Sequence, residues 1–195
     1  GTAGASPPVS LGSYQHTAFQ KQDGAPGDLA SIAQTADGFL WMTGTKGVTR
    51  FDGVTFQAFR PVPGEAFRAA QLNSVFPAEG GGLWIANSDS GPTLLKDGHL
   101  RHFDEPKGVV ASISSFLADP EGGVWAISPK GLIRFRAGAW EMVEPNTAER
   151  STSRAVFDRT GALWLVGGGR VSVRPRGAPA FLDVSGGPDK PRYIF

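Results

Sequence analysis

Three histidines, eighteen acidic side chains and no cysteine bound the chemistry open to this 195-residue chain. His99 and His102 lie three apart in a run that reads as a strand. Successive strand side chains alternate faces, so these two point to opposite sides and do not share one metal. His16 stands alone, and all three histidines read as surface or rim residues. Ser112, Ser114, Ser115, Ser151 and Ser153 have no nucleophile-elbow setting, and no triad can be argued for them. Gly167-Gly168-Gly169 would suit a phosphate only if a helix and a lysine followed, whereas Val171-Ser172-Val173 has the pattern of a strand. Asn87-Ser88-Asp89-Ser90-Gly91 offers oxygens at alternate positions, as calcium loops do, but lacks the further Asp and the distant Glu of such a loop. The expectation for this segment is no catalytic group, no metal and no cofactor.

The elements behind these residues follow from a Gly-x-x-Trp step that occurs four times. It reads Gly38-Phe39-Leu40-Trp41, Gly81-Gly82-Leu83-Trp84, Gly122-Gly123-Val124-Trp125 and Gly161-Ala162-Leu163-Trp164. The tryptophans at 41, 84, 125 and 164 are separated by 43, 41 and 39 residues, so one structural unit is copied along the chain. Their common place in the unit predicts a structural role in the core for Trp41, Trp84, Trp125 and Trp164, with Gly38, Gly81, Gly122 and Gly161 forming the preceding turn. In the first copy, Ser31–Thr35, Phe39–Thr43, Val48–Phe51 and Val54–Phe59 are short β-branched and aromatic runs joined at Asp37-Gly38, Lys46-Gly47 and Asp52-Gly53. Such runs punctuated by x-Gly pairs are the local signature of hairpins. The last turn recurs as Asp97-Gly98, Ala137-Gly138 and Arg176-Gly177, in phase with the tryptophans.

Composition agrees with an all-β chain: 27 Gly, 15 Pro and 40% hydrophobic residues, with no convincing 3.6-residue apolar period. A lone four-stranded sheet leaves both faces open, so repeated sheets must cover one another, and units of about forty residues do so radially in a β-propeller. The expected blades are 29–59, 71–103, 111–143 and 152–184. Residues 1–13 read as an N-terminal linker. Tyr14–Phe19 reads as a strand that closes the ring, and Arg192–Phe195 as the opening strand of a fifth blade, residues 191–195. The pattern is that of about four blades cut from a larger ring, with seven blades expected and edges that favour self-association. Nineteen basic against eighteen acidic residues, net +1, with no basic run, do not suit nucleic-acid binding. No apolar run approaches the roughly 18 residues of a membrane span.

The first copy, Thr35-Ala36-Asp37-Gly38-Phe39-Leu40-Trp41-Met42-Thr43-Gly44-Thr45-Lys46-Gly47-Val48-Thr49-Arg50-Phe51-Asp52-Gly53, closely resembles the two-component regulator propeller repeat. Gln22–Pro26 resembles the segment that introduces its first blade, and Glu121–Trp125 with Lys130–Phe135 is a second good copy. Unit two departs most, through the insertion Asn87–Pro92. The resemblance implies the periplasmic, extracytoplasmic sensor region of an inner-membrane receptor whose missing modules are a histidine kinase or a diguanylate cyclase. It implies a small-molecule or saccharide ligand and signalling through a dimer. Alternatives from other classes are part of a freestanding propeller lyase or lectin, and a protein-interaction scaffold. In a ring, the loops between second and third strands and those between blades crowd one face. They carry Lys46, Asp89, Lys130, Arg68 and Arg150, with Arg60 and Lys107 beside them, and these are the candidate ligand-binding residues.

Overall fold

The computed structural model describes residue 12 and residues 16–69, 71–87, 90–104, 112–147 and 151–185. The linker apart from residue 12, Tyr14 and Gln15 of the expected ring-closing strand, the opening strand of a fifth unit at 191–195, and Asp89, Lys107 and Arg150 lie outside them. Among the described residues sixteen strands form four sheets. The first holds β1 (Leu29–Gln34), β2 (Leu40–Gly44), β3 (Gly47–Phe51) and β4 (Phe56–Ala58). The second holds β5 (Ser74–Pro77), β6 (Leu83–Ala86), β7 (Thr93–Lys96) and β8 (His99–His102). β9 (Ser115–Ala118), β10 (Val124–Ser128), β11 (Gly131–Arg136) and β12 (Ala139–Pro145) make the third. The fourth is β13 (Arg154–Phe157), β14 (Leu163–Gly167), β15 (Arg170–Arg174) and the two-residue β16 (Leu182–Asp183). Every sheet is antiparallel with strands in chain order.

The first glycine of each Gly-x-x-Trp step has positive φ, between 81° and 92° at Gly38, Gly81, Gly122 and Gly161. Side chains rarely adopt that conformation, which is why glycine recurs there. The turn delivers the tryptophan onto the second strand, and the indole N–H then reaches back six residues. Trp125 donates to Asp119 Oδ2 at 2.8 Å, Trp164 to Asp158 Oδ2 at 2.8 Å and Trp41 to Thr35 Oγ1 at 3.0 Å. Unit two has Ala78 in that place, and Trp84 is held among rings instead, with Phe135 at 4.6 Å, Trp140 at 5.1 Å and Phe103 at 5.3 Å.

The third turns share a composition but not a geometry. Asp97-Gly98 and Ala137-Gly138 are two-residue turns with both φ values positive, the mirror-image form that matches strand twist. At Asp52-Gly53 only the glycine is positive. The Asp52 carboxylate accepts from the Val54 and Thr55 amides at 2.9 and 2.7 Å, and β4 therefore starts at Phe56, two residues later than the sequence pattern suggests.

Pairing register explains how the sheets cover one another. Trp41 shares a row, and so a face, with Ala33 and Arg50. That face packs on Val75, Leu83, Ile85 and Leu95 of the second sheet. Trp84 packs in the same way on Val124, Ala126, Ile133 and Trp140, and Trp125 on Leu163 and Leu165. Three equivalent seams thus form the core and hold Trp41, Trp84 and Trp125; Trp164, on the face of the last sheet that no described sheet covers, is only half-buried. Contacts between sheets run chiefly through the first strands, β1 against β5, β5 against β9 and β9 against β13, so the sheets converge there and fan outward. The segment expected to close a ring is described from His16 onward. His16–Gln20 form no strand, and Phe19 sets its ring against Phe51 and Phe56 at 5.0 and 5.5 Å.

Candidate ligand-binding groove

Antiparallel order puts the turns between second and third strands at one end of every sheet. Lys46 stands there in sheet one and Lys130 in sheet three, both exposed. Beside Lys46 an open groove of about 530 Å³ runs between the Thr45–Gly47 turn and residues 60–69, the connection to the second sheet. Lys46 and Arg60 bring positive charge to it; Pro61, Val62, Pro63 and Phe67 give it an apolar wall.

Both walls are fixed by carboxylates. Asp28 accepts from the Thr45 amide at 2.7 Å and from the Thr45 hydroxyl. These bonds, the hydroxyl first, and the nearby Lys46 charge hold its pKa below the usual carboxylate range. The Asp28 carbonyl presses against Gly44, where a Cβ would come within 2.2 Å of it. Across the groove, Glu65 pairs with His99 Nδ1 at 3.0 Å and accepts from the Leu100 amide. The His99 bond, followed by the Leu100 amide, lowers the Glu65 pKa. Val62 N–H donates to the Gly98 carbonyl at 3.2 Å, so the connection is fastened along the outer strand β8. His102 meets Thr93 Oγ1 at 2.8 Å, and burial lowers its pKa.

The structure brings Lys46 and Arg60 together and separates Arg68 and Lys130 from them. Arg68 is ion-paired with Asp104, both side chains exposed, and does not line the groove. Lys130 lies two sheets away; its amide is held by Ser128 Oγ at 3.2 Å and its carbonyl by Asn146 N at 2.7 Å. His99 and His102 occupy opposite faces as expected. Among the described residues no three His, Asp or Glu side chains are grouped to hold a metal. Sequence reasoning missed Glu65, whose partners are 34 and 35 residues away.

No family model matches the chain, and no curated protein matches it. Among solved structures it is similar to the extracellular domain of a protein described as a hybrid two component system, from B. thetaiotaomicron. The TM-score is 0.70 at 16% identity, over 86% of this chain and 26% of that one. The fold is a β-propeller. A second extracellular domain of this kind from the same organism aligns with TM-score 0.66 at 19% identity, over 84% of this chain and 26% of that one. Virginiamycin B lyase from Staphylococcus aureus aligns with TM-score 0.61 at 13% identity, over 78% of this chain and 53% of that one. The chain thus spans about a quarter of the first two propeller proteins. The likeness drawn from the repeat is met at the level of fold, and the four sheets are blades. The groove lies where the turn of blade one meets the blade-one to blade-two connection.

Proposed function

We propose that the chain is part of the extracytoplasmic, periplasmic sensor propeller of a bacterial two-component receptor, and that the groove beside Lys46 takes its ligand. The observation that carries this reading is the structural likeness to two extracellular two-component domains over more than four fifths of the chain, together with a groove lined by Lys46, Arg60 and Glu65 at the end that carries the turns between second and third strands. A charged saccharide or other small polar molecule suits a wall of this mixed character. Signalling follows from differential affinity: a ligand that prefers one arrangement of two propellers shifts the dimer equilibrium by that preference alone. The chain carries recognition in this reading, and catalysis belongs to kinase or cyclase modules elsewhere in the receptor.

The test is a thermal-shift screen against neutral and acidic oligosaccharides, followed by titration of any hit. With Lys46→Glu and Arg60→Glu combined, affinity for an acidic hit falls about tenfold or more, the loss expected for charge-assisted contacts. Unchanged affinity in that variant overturns the groove as the site. A second reading, a piece of a freestanding lyase, draws on the likeness to virginiamycin B lyase; cleavage of a streptogramin by the chain would decide for it.

A further inference from the structure

In three blades the third strand places an apolar residue opposite the one that immediately precedes the tryptophan: Leu40 faces Phe51, Leu83 faces Leu95 and Val124 faces Phe135. Phe51 and Leu95 are buried, and Phe135 packs against the ring of Trp84. In blade four the same register sets Leu163 opposite Arg174. A guanidinium therefore occupies a core position of the repeat, at the seam between blades three and four. The seam does not close around it: a cavity of about 210 Å³ remains, with Trp125, Phe157 and Leu163 as its apolar walls. It opens at the end carrying the first and third turns, opposite Lys46 and Lys130.

Its charged lining comprises Arg134, Arg174 and Arg176 with Asp119 and Glu121, and Glu144 stands beside Arg174. Arg134 is committed: its Nε lies 2.6 Å from Asp119 Oδ2 and its Nη2 3.5 Å from Glu121, with the guanidinium 5.8 Å from the Trp125 ring. Arg174 stacks at 4.9 Å on Phe181 and has Glu144 Oε2 at 3.8 Å; Arg176 has Glu121 Oε1 at 4.0 Å. Both carboxylate separations exceed hydrogen-bond length. Arg174 is half-buried, its side chain 22% exposed, whereas Arg176 at the mouth of the cavity is exposed. A half-buried guanidinium whose carboxylate partner stands beyond hydrogen-bond length keeps its fork of donors for a further acceptor.

We propose that this seam between blades is a second binding site, taking a small oxyanion, carboxylate or phosphate, on Arg174 and Arg176 against the Trp125 ring. The fork geometry of a guanidinium fits both acceptors. The site is independent of the groove beside Lys46, on the opposite end of the blades.

The experiment titrates the 195-residue chain separately with benzoate and with inorganic phosphate, following the Trp125 indole N–H by NMR. Saturable movement of that signal by either probe is expected, and the probe that acts identifies which oxyanion the seam prefers. Arg174→Leu restores the residue type of the other blades, so it folds with an equal or higher Tm while affinity falls about tenfold or more. Arg174→Lys, which keeps the charge and loses the fork, falls between. Neither probe reaching saturation overturns the proposal, and so does binding left intact in Arg174→Leu. A lowered Tm with binding intact in that variant would make Arg174 a structural residue.

Discussion

Asp158 shows how much one side chain does within the repeat. Its carboxylate accepts from the Thr160 hydroxyl at 2.6 Å, from the Trp164 indole at 2.8 Å and from the Thr160 and Ala162 amides at 2.8 and 3.0 Å. Those bonds, Thr160 Oγ1 foremost, lower its pKa from 3.8 to about 2. A depressed carboxylate stabilises the fold above its ordinary pKa, and that contribution disappears as pH falls through the folded value. Denaturant midpoints measured against pH should therefore fall between about pH 4 and pH 2. In Asp158→Asn the midpoint is lower at neutral pH and that part of the acid slope is lost; an identical slope in the variant would refute the assignment. Asp119 repeats the arrangement in blade three, with Arg134 added at 2.6 Å.

Among the elements, the hairpins are where local sequence and local geometry agree or conflict. Ala137 has φ of 50° in the turn between β11 and β12, a conformation that costs a residue with a Cβ about 1–2 kcal/mol. Asn tolerates it better through its short polar side chain. Ala137→Asn is expected to stabilise the protein by up to about 1 kcal/mol, read as a rise in the denaturant midpoint at unchanged slope. The equivalent Asp97 needs no such change, since Asp already suits the position. Where β2 ends, Gly44 meets the Asp28 carbonyl, and this close approach sets the groove wall that holds Lys46.

At the scale of the molecule, stability resides in seams that no single blade owns. Trp125 belongs to blade three, yet its ring packs on Leu163 and Leu165 and stands 5.3 Å from Phe157 of blade four. Trp125→Ala should cost roughly 3–5 kcal/mol, the range for truncating a large buried aromatic. Hydrogen exchange should speed up in β13–β15 as well as in β9–β11, while β1–β4 change least, because coupling passes between neighbours. A loss confined to blade three would mean that the blades stand alone. The same logic gives the seam between blades three and four its character: replacing one core residue by Arg174 leaves the backbone register intact and alters only what the seam can hold.

The all-β class, the four four-stranded units and the place of Trp41, Trp84 and Trp125 in the core were legible in the residues alone, because strand alternation and positive-φ turns are properties of a few consecutive residues; that Trp164 is only half-buried was not. The candidate ligand residues were legible only as a set of loop charges. Whether Lys46 meets Arg60 across a groove, and whether Arg68 is spent on Asp104, depends on how the connection 60–69 lies along β8. The acceptors for Trp125 and Trp164 could have been found from an Asp six residues before each tryptophan, had the broken pattern at Thr35 and Ala78 not hidden them. Arg174 reads in the sequence as an ordinary strand-end cation. Its place in a core seam is decided by pairing with Leu163 and by the packing of one blade on the next, since burial is set by the neighbouring sheet and not by the strand that carries the residue.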